Sequence, residues 1–186
     1  MKRFIGLLLI VVLLTGCGKE NNAMEQAIKF RNSLLQSSTA SFDAEITAEY
    51  EDILLSFKMN CVWNSADQMK FTVLQPESIS GISGIIAQEN GKIEFDEKAL
   101  FFDVMADGTI TPVSAPWFVL RAMSSGYIKG AGERDNGYII QLDDSYQENA
   151  LNINLQMNDE CSPKFAEVFY NGRRVVSISF ENFTIL

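Results

Sequence analysis

The chain has 186 residues and no histidine, so its chemically capable groups are three thiols and scattered carboxylates. Without an imidazole, Ser-His-Asp and Cys-His catalysis cannot be built in their usual form, nor can a His-containing zinc site. Cys61 and Cys161 lie outside any CxxC spacing, which leaves a redox or metal role unsupported. They could pair outside the membrane. However, an inward strand residue and a turn residue need not come within disulfide reach, so both are expected as free thiols. Asp143-Asp144 and Asp159-Glu160 lack the Asp-x-Asp-x-Asp-Gly calcium loop and any supporting pattern of glycosidase carboxylates. They read as solvated turns. Ser80-Gly81-Ile82-Ser83-Gly84 has neither the Lys-Ser/Thr ending nor the following helix of a phosphate loop; its glycines read as permitting a bend. The sequence indicates no enzyme, no metal site and no cofactor.

The third thiol, Cys17, has a different setting. Lys2 and Arg3 give a positive start, Phe4 to Leu14 is apolar except for Gly6, and Leu14-Thr15-Gly16-Cys17 follows. That is the three-part layout of an export signal with small residues at the cut. Its apolar core is too short to span a bilayer comfortably. The segment resembles the lipobox of a bacterial lipoprotein signal, as opposed to an ordinary signal with a chance cysteine. The resemblance implies that the Cys17 thiol takes a diacylglyceryl group, that cleavage leaves Cys17 first, and that palmitate-type acyl chains hold the protein in the membrane on its extracytoplasmic face. Removing the first 16 of 186 residues leaves 170, enough for one domain with a real core. The loss of Lys2 and Arg3 takes the net charge from −9 to −11. So acidic a chain is a poor partner for nucleic acid and gains nothing from anionic lipid, so the acyl chains must do the anchoring.

The elements that position everything else come next. Residues 17–23 read as a lipidated tether and 24–186 as the folded domain. Met24, Ala27, Ile28, Leu34 and Leu35 give a helical stripe ended by Ser37-Ser38-Thr39. The period then becomes two: Phe42 to Tyr50, Ile53 to Trp63 and Met69 to Val73 each alternate apolar with polar residues. This argues for antiparallel strands with one apolar face. Further strands are expected over 82–87, 92–96, 100–105, 138–142, 151–157, 165–170 and 175–180. Asn90-Gly91 and Asn171-Gly172 read as hairpin turns and Asp107-Gly108 ends a strand. Ser114 to Met123 breaks the alternation. Ser114 reads as a cap, Pro116 fits a first turn, and Arg121 is the only charge, so this short helix is expected to be buried or to cover something apolar. Nine or ten strands in a meander with two segregated helices make an α+β domain.

This order of elements, together with Trp63…Met69-Lys70-Phe71…Pro76 and the ending Phe180-Glu181-Asn182-Phe183, resembles the LolA/LolB-like lipoprotein-carrier superfamily. The resemblance implies a curled antiparallel sheet forming an unclosed half-barrel, with an N-terminal helix and a short inserted helix over its hollow side. It also implies acyl-chain binding and no enzyme activity. A built-in lipid anchor is shared with the acceptor LolB and the mycobacterial LprG-type carriers, whereas the periplasmic carrier is soluble. A membrane-inserting acceptor loop does not map onto this sequence. The implied ligand-binding residues are Phe57, Met59, Trp63, Met69, Phe71 and Phe95 on the sheet, covered by Trp117 and Leu120. The same residues read equally as a dry core. Two functions follow: binding of a hydrophobic ligand such as a lipid or acyl chain in the half-barrel, or docking of a cell-envelope partner protein on the curved sheet. An open apolar cavity favours the first; a filled core with an exposed apolar patch favours the second.

The Cys17→Ala variant is expected to block lipidation and to leave an unprocessed precursor or a soluble product. Fractionation and intact mass measure this, and normal membrane-bound mature protein would contradict it.

Overall fold

The computed structural model describes residues 20–50, 53–88, 90–106, 109–148 and 150–186; the export segment, Cys17 and Asp107-Gly108, expected to end a strand, lie outside them. Helix α1 (Glu20–Gln36) leads into strands β1 (Thr39–Tyr50), β2 (Ile53–Asn64), β3 (Gln68–Gln75), β4 (Ser83–Ala87), β5 (Asn90–Phe95) and β6 (Lys98–Asp103). The short strands β7 (Met105–Ala106) and β8 (Thr109–Ile110) precede helix α2 (Ala115–Ser125). The chain then returns as β9 (Tyr127–Glu133), β10 (Gly137–Asp143), β11 (Asn152–Asn158), β12 (Pro163–Tyr170) and β13 (Arg173–Ile185). Eleven strands form one sheet in the order β6-β5-β4-β3-β2-β1-β13-β12-β11-β10-β9, and β7 and β8 make a separate ribbon. Every neighbouring pair is antiparallel. The sheet does not close; β6 and β9 are its two edges. The α+β half-barrel expected from the sequence is the architecture found.

The period-two pattern sets which face is buried. Phe42, Ala44, Ile46 and Ala48 of β1 face inward, opposite Cys61, Met59, Phe57 and Leu55 of β2. The register carries this face through Met69, Phe71 and Val73 of β3 to Gly84 and Ile86 of β4. It continues through Gly91, Ile93 and Phe95 of β5 to Leu100 and Phe102 of β6. On the other side, Val176, Ile178 and Phe180 of β13 lead to the buried residues of β12, β11 and β10. Four phenylalanines tie α1 to the chain terminus. Phe42 stacks on Phe183 at 5.3 Å between centroids, Phe180 lies 5.4 Å from Phe42, and Phe30 of α1 lies 5.9 Å from Phe183. Offset and tilted pairs of this kind add to simple burial.

Several sequence expectations are corrected. Helix α1 begins at Glu20, inside the expected tether, where Gln26 Nε2 donates to Asn22 Oδ1 at 3.3 Å. Its buried stripe is Ala23, Ala27, Phe30 and Leu34; Ile28 and Leu35 are exposed because Phe30 is the residue that meets the aromatic cluster. Asn90-Gly91 is not a turn. The register Ala87↔Asn90 places both residues in β5, and a Cβ at Gly91 would stand 2.0 Å from the Phe102 ring, so glycine is there for close approach. Asn171-Gly172 is a turn, with φ of +50° and +76° as a two-residue hairpin of primed type needs. The expected 100–105 strand is split between β6 and β7. Strand β9 was missed because Lys129-Gly130-Ala131-Gly132 carries almost no apolar alternation. Ser114 does not cap α2 with its side chain; its hydroxyl lies within hydrogen-bond reach of the Thr111 and Val104 carbonyls, at 2.6 and 2.9 Å.

One carboxylate secures the seam between the two halves of the sheet. At the β1–β13 bulge, Asp43 accepts from Asn60 Nδ2 of β2 and from Asn182 Nδ2 of β13, each at 2.9 Å. The Asn60 bond first and the Asn182 bond second hold its carboxyl below the usual range. A depressed native pKa gives stability that is present above the unfolded-state value and lost as pH falls through the native one. Asp43→Ala is expected to lower urea stability at pH 7 by about 1–2 kcal/mol. The deficit should shrink below about pH 4, the ordinary aspartate range. Equal stability of variant and parent at pH 7 would contradict the assignment.

Candidate functional site

The hollow of the half-barrel is occupied by α2. Of its residues, only Arg121, Ser124 and Ser125 are not buried. Helix α2 packs on α1 and beneath β9 to β13. Two anchors fix it. Toward its start, the Trp117 indole N–H donates to the Asp67 carbonyl at 3.1 Å. The Arg121 guanidinium lies 4.8 Å from the Trp117 ring centroid, with Nε 3.6 Å from Asp67 Oδ2. Toward its end, Arg31 of α1 donates to the carbonyls of Met123 at 2.6 Å and Gly126 at 2.9 Å, and more weakly to Ala122 at 3.4 Å. The Ala122 carbonyl also accepts the Gly126 N–H at 2.8 Å, and the Arg31 charge suits the negative end of the helix dipole. Burial lowers the Arg31 pKa. Sequence reading did not find Arg31, because its acceptors lie more than 90 residues away and no local pattern signals them.

The eight expected binding residues divide into two groups. Met59, Trp63, Met69, Phe71, Trp117 and Leu120 are buried together in one core with α2. Phe57 is half-buried against that core, and Phe95 is 58% exposed. The register puts Phe95 on the inner face as expected, but at an end that α2 does not reach. There Ile53 and Leu55 of β2 and Leu100 of β6 are also exposed, Leu100 by 64%. Among the described residues, the Trp63 indole N–H is buried without a hydrogen-bond partner.

A cleft of about 510 Å³ opens at the opposite end of the β5–β6 hairpin, where Asn90 pairs with Asp103. Its walls include Asp103 at the end of β6 and Val104 just past it, Phe118 and Arg121 of α2, and Asp144 and Leu151 of the β10–β11 connection. The Asp144 carboxylate accepts the Leu151 N–H at 2.8 Å, while burial pushes its pKa up. Charged and apolar walls together suit a polar or cationic group carried on an apolar stem, and suit a bare acyl chain poorly. Among the described residues no cluster of three His, Cys, Asp or Glu could hold a metal, and no helix is long and apolar enough to cross a membrane.

No protein-family profile and no curated protein matches the chain. Solved structures do resemble it in fold. A LolA-superfamily protein of Nitrosomonas europaea aligns at 10% identity and TM-score 0.46, over 91% of this chain and 94% of that one. The lipoprotein LppX of Mycobacterium tuberculosis aligns at 8% identity and TM-score 0.41, over 87% and 92%. A chain of the complex between the CwlD amidase and the GerS lipoprotein of Clostridioides difficile aligns at 12% and 0.42, over 90% and 98%. These neighbours include the superfamily that the order of elements resembles.

Cys61 and Cys161 are both free, as expected. Cys61 is buried on the inner face of β2, and burial raises its pKa far above the ordinary thiol range. Cys161 is half-exposed, with Sγ 3.1 Å from Gln26 Oε1 of α1. In native protein an aromatic disulfide reagent is expected to label Cys161 and to spare Cys61 until unfolding. Equal native rates, or no titratable thiol after denaturation without reductant, would contradict this.

Proposed function

We propose that this chain is a lipid-anchored extracytoplasmic binding protein that docks a basic partner protein of the cell envelope on the uncovered end of its inner sheet face. The observation that carries the reading is the combination of a filled hollow with exposed apolar side chains gathered at one end: Ile53, Leu55, Phe95 and Leu100. Burying exposed apolar surface contributes about 25 cal/mol per Å², and several large apolar side chains exposed on one sheet face favour an interaction site. The acidity of the domain supplies the partner's sign. At −11 after processing, it steers a basic surface toward itself and disfavours acidic ones. The anchor at Cys17 confines the encounter to the membrane face. No chemical step is assigned to the protein.

A second reading keeps the interior as an acyl-chain site reached when α2 withdraws. The buried Trp63 indole N–H, without an acceptor among the described residues, favours it, because an ester or carboxyl oxygen would satisfy that donor. One titration separates the two. Trp63 and Trp117 are the only tryptophans and both line the interior. Docking on the uncovered end predicts no saturable change in their emission when fatty acid is added, and no lipid in organic extracts of native protein. It also predicts that a photo-crosslinking residue placed at Phe95 or Leu100 captures a protein at the membrane, whereas one at Thr72 on the opposite face does not. A saturable emission shift with co-purified lipid would establish the second reading in its place.

A further inference from the structure

The two edges of the open sheet are treated differently. Helix α1 packs against β9. Strand β6 has extensive contact with β5 alone among the described elements, so one side of its backbone faces outward unpaired. Proteins normally blunt such an edge with proline, a bulge or inward-pointing charge. Here the inward-facing charge is Lys98 at the very start of the strand, opposite Phe95; Lys98–Asp103 pairs with β5 in unbroken register, contains no proline, and is apolar from Ala99 to Phe102. Its exposed side chains lie on both faces: Leu100 inward, Phe101 outward and 73% exposed. The strand then runs directly into the cleft, whose lining includes Asp144 and Asp103, the latter on the same outer face of the strand as Phe101 by alternation. Among the described residues, the cation in the cleft wall is Arg121, which lies over the Trp117 ring, beside Asp67 and within electrostatic reach of Asp144.

We infer that β6 is a strand-addition site: an extended segment of a partner protein pairs antiparallel with Lys98–Asp103, and a Lys or Arg at the N-terminal end of that segment enters the cleft between Asp103 and Asp144. This rests on the docking reading above and specifies its mode. Backbone hydrogen bonds along the edge supply register-independent affinity, and side chains alternating across the sheet supply specificity. The orientation follows from geometry. Asp103 is at the C-terminal end of β6, so an antiparallel guest presents its N-terminal end there. The guest's next apolar side chains then fall beside Leu100 on the inner face and Phe101 on the outer face. The acidity of the whole domain favours the same basic guest.

The test uses fluorescent synthetic strands of about eight residues, alternating valine and threonine, with the processed full domain. A probe headed by two arginines is expected to bind saturably. Moving the arginines to the C-terminal end, replacing them by glutamates, or placing a proline at the centre should each weaken binding at least tenfold. Asp103→Asn should weaken the arginine-headed probe severalfold, and Phe101→Lys should weaken every probe. Circular dichroism melting of each variant shows that it is folded. Hydrogen exchange should show new amide protection in 98–103. Absence of probe binding, indifference to arginine placement, or protection elsewhere would overturn the inference. So would concentration-dependent dimers abolished by Phe101→Lys, which would make a second copy the occupant of the edge. If the probes fail while crosslinks from Phe95 and Leu100 persist, strand addition falls and docking stands. If the crosslinks also vanish, the docking reading falls with it.

Discussion

An open sheet of eleven strands has a hollow side that cannot face water without cost, and one short helix meets that cost. Helix α2 offers apolar side chains around most of its circumference, which is tolerable only for a helix surrounded by protein. Its position is set by polar groups at both ends. Trp117 and Arg121 bind it to the β2–β3 turn at Asp67, and Arg31 binds its last carbonyls to α1. The large inward residues of β2 and β3, Met59, Trp63, Met69 and Phe71, are therefore core residues in this state.

The same arrangement explains where apolar surface is left over. Helix α2 is 11 residues long, about 16 Å at 1.5 Å per residue, while the sheet runs eleven strands from edge to edge. Seated beneath β9 to β13, α2 leaves the Phe95–Leu100 part of β5 and β6 uncovered, while Ile86 of β4 is buried in the core. The inner face continues there in correct register but without a lid, which is why Phe95 and Leu100 point inward by pattern and outward by exposure. The apolar strand edge β6 joins that surface, near Phe95, to the cleft at Asp103 at the other end of the strand.

Much of this was legible in the sequence, for identifiable reasons. Strict alternation over residues 42 to 73 carried strand identity, order and facing, because a period of two survives any packing detail. The buried helix was legible because Pro116 and an almost uncharged run exclude the other choices. Asn171-Gly172 was legible as a turn, since few other residue pairs adopt positive φ twice; Asn90-Gly91 misled because the same glycine served the Phe102 ring instead. Strand β9, with Gly130 and Gly132 at its centre, left no periodic trace. The candidate binding residues were found as a set facing inward, but the sequence could not say which of them a short helix would reach. Nor could it show the Arg31 anchor or the cleft at Asp103 and Asp144, since each assembles from segments far apart in the chain.

The account stands on α2 filling the hollow as a permanent part of the core while binding takes place on the surface it leaves open. Native-state hydrogen exchange of the α2 amides, with and without fatty acid, tests that claim most directly. The account predicts that Trp117 to Met123 exchange only through global unfolding, with the same protection as the central strands β1 and β13, whether or not fatty acid is present. Faster exchange of α2 through a partial opening, promoted by fatty acid while β1 and β13 remain protected, would contradict it.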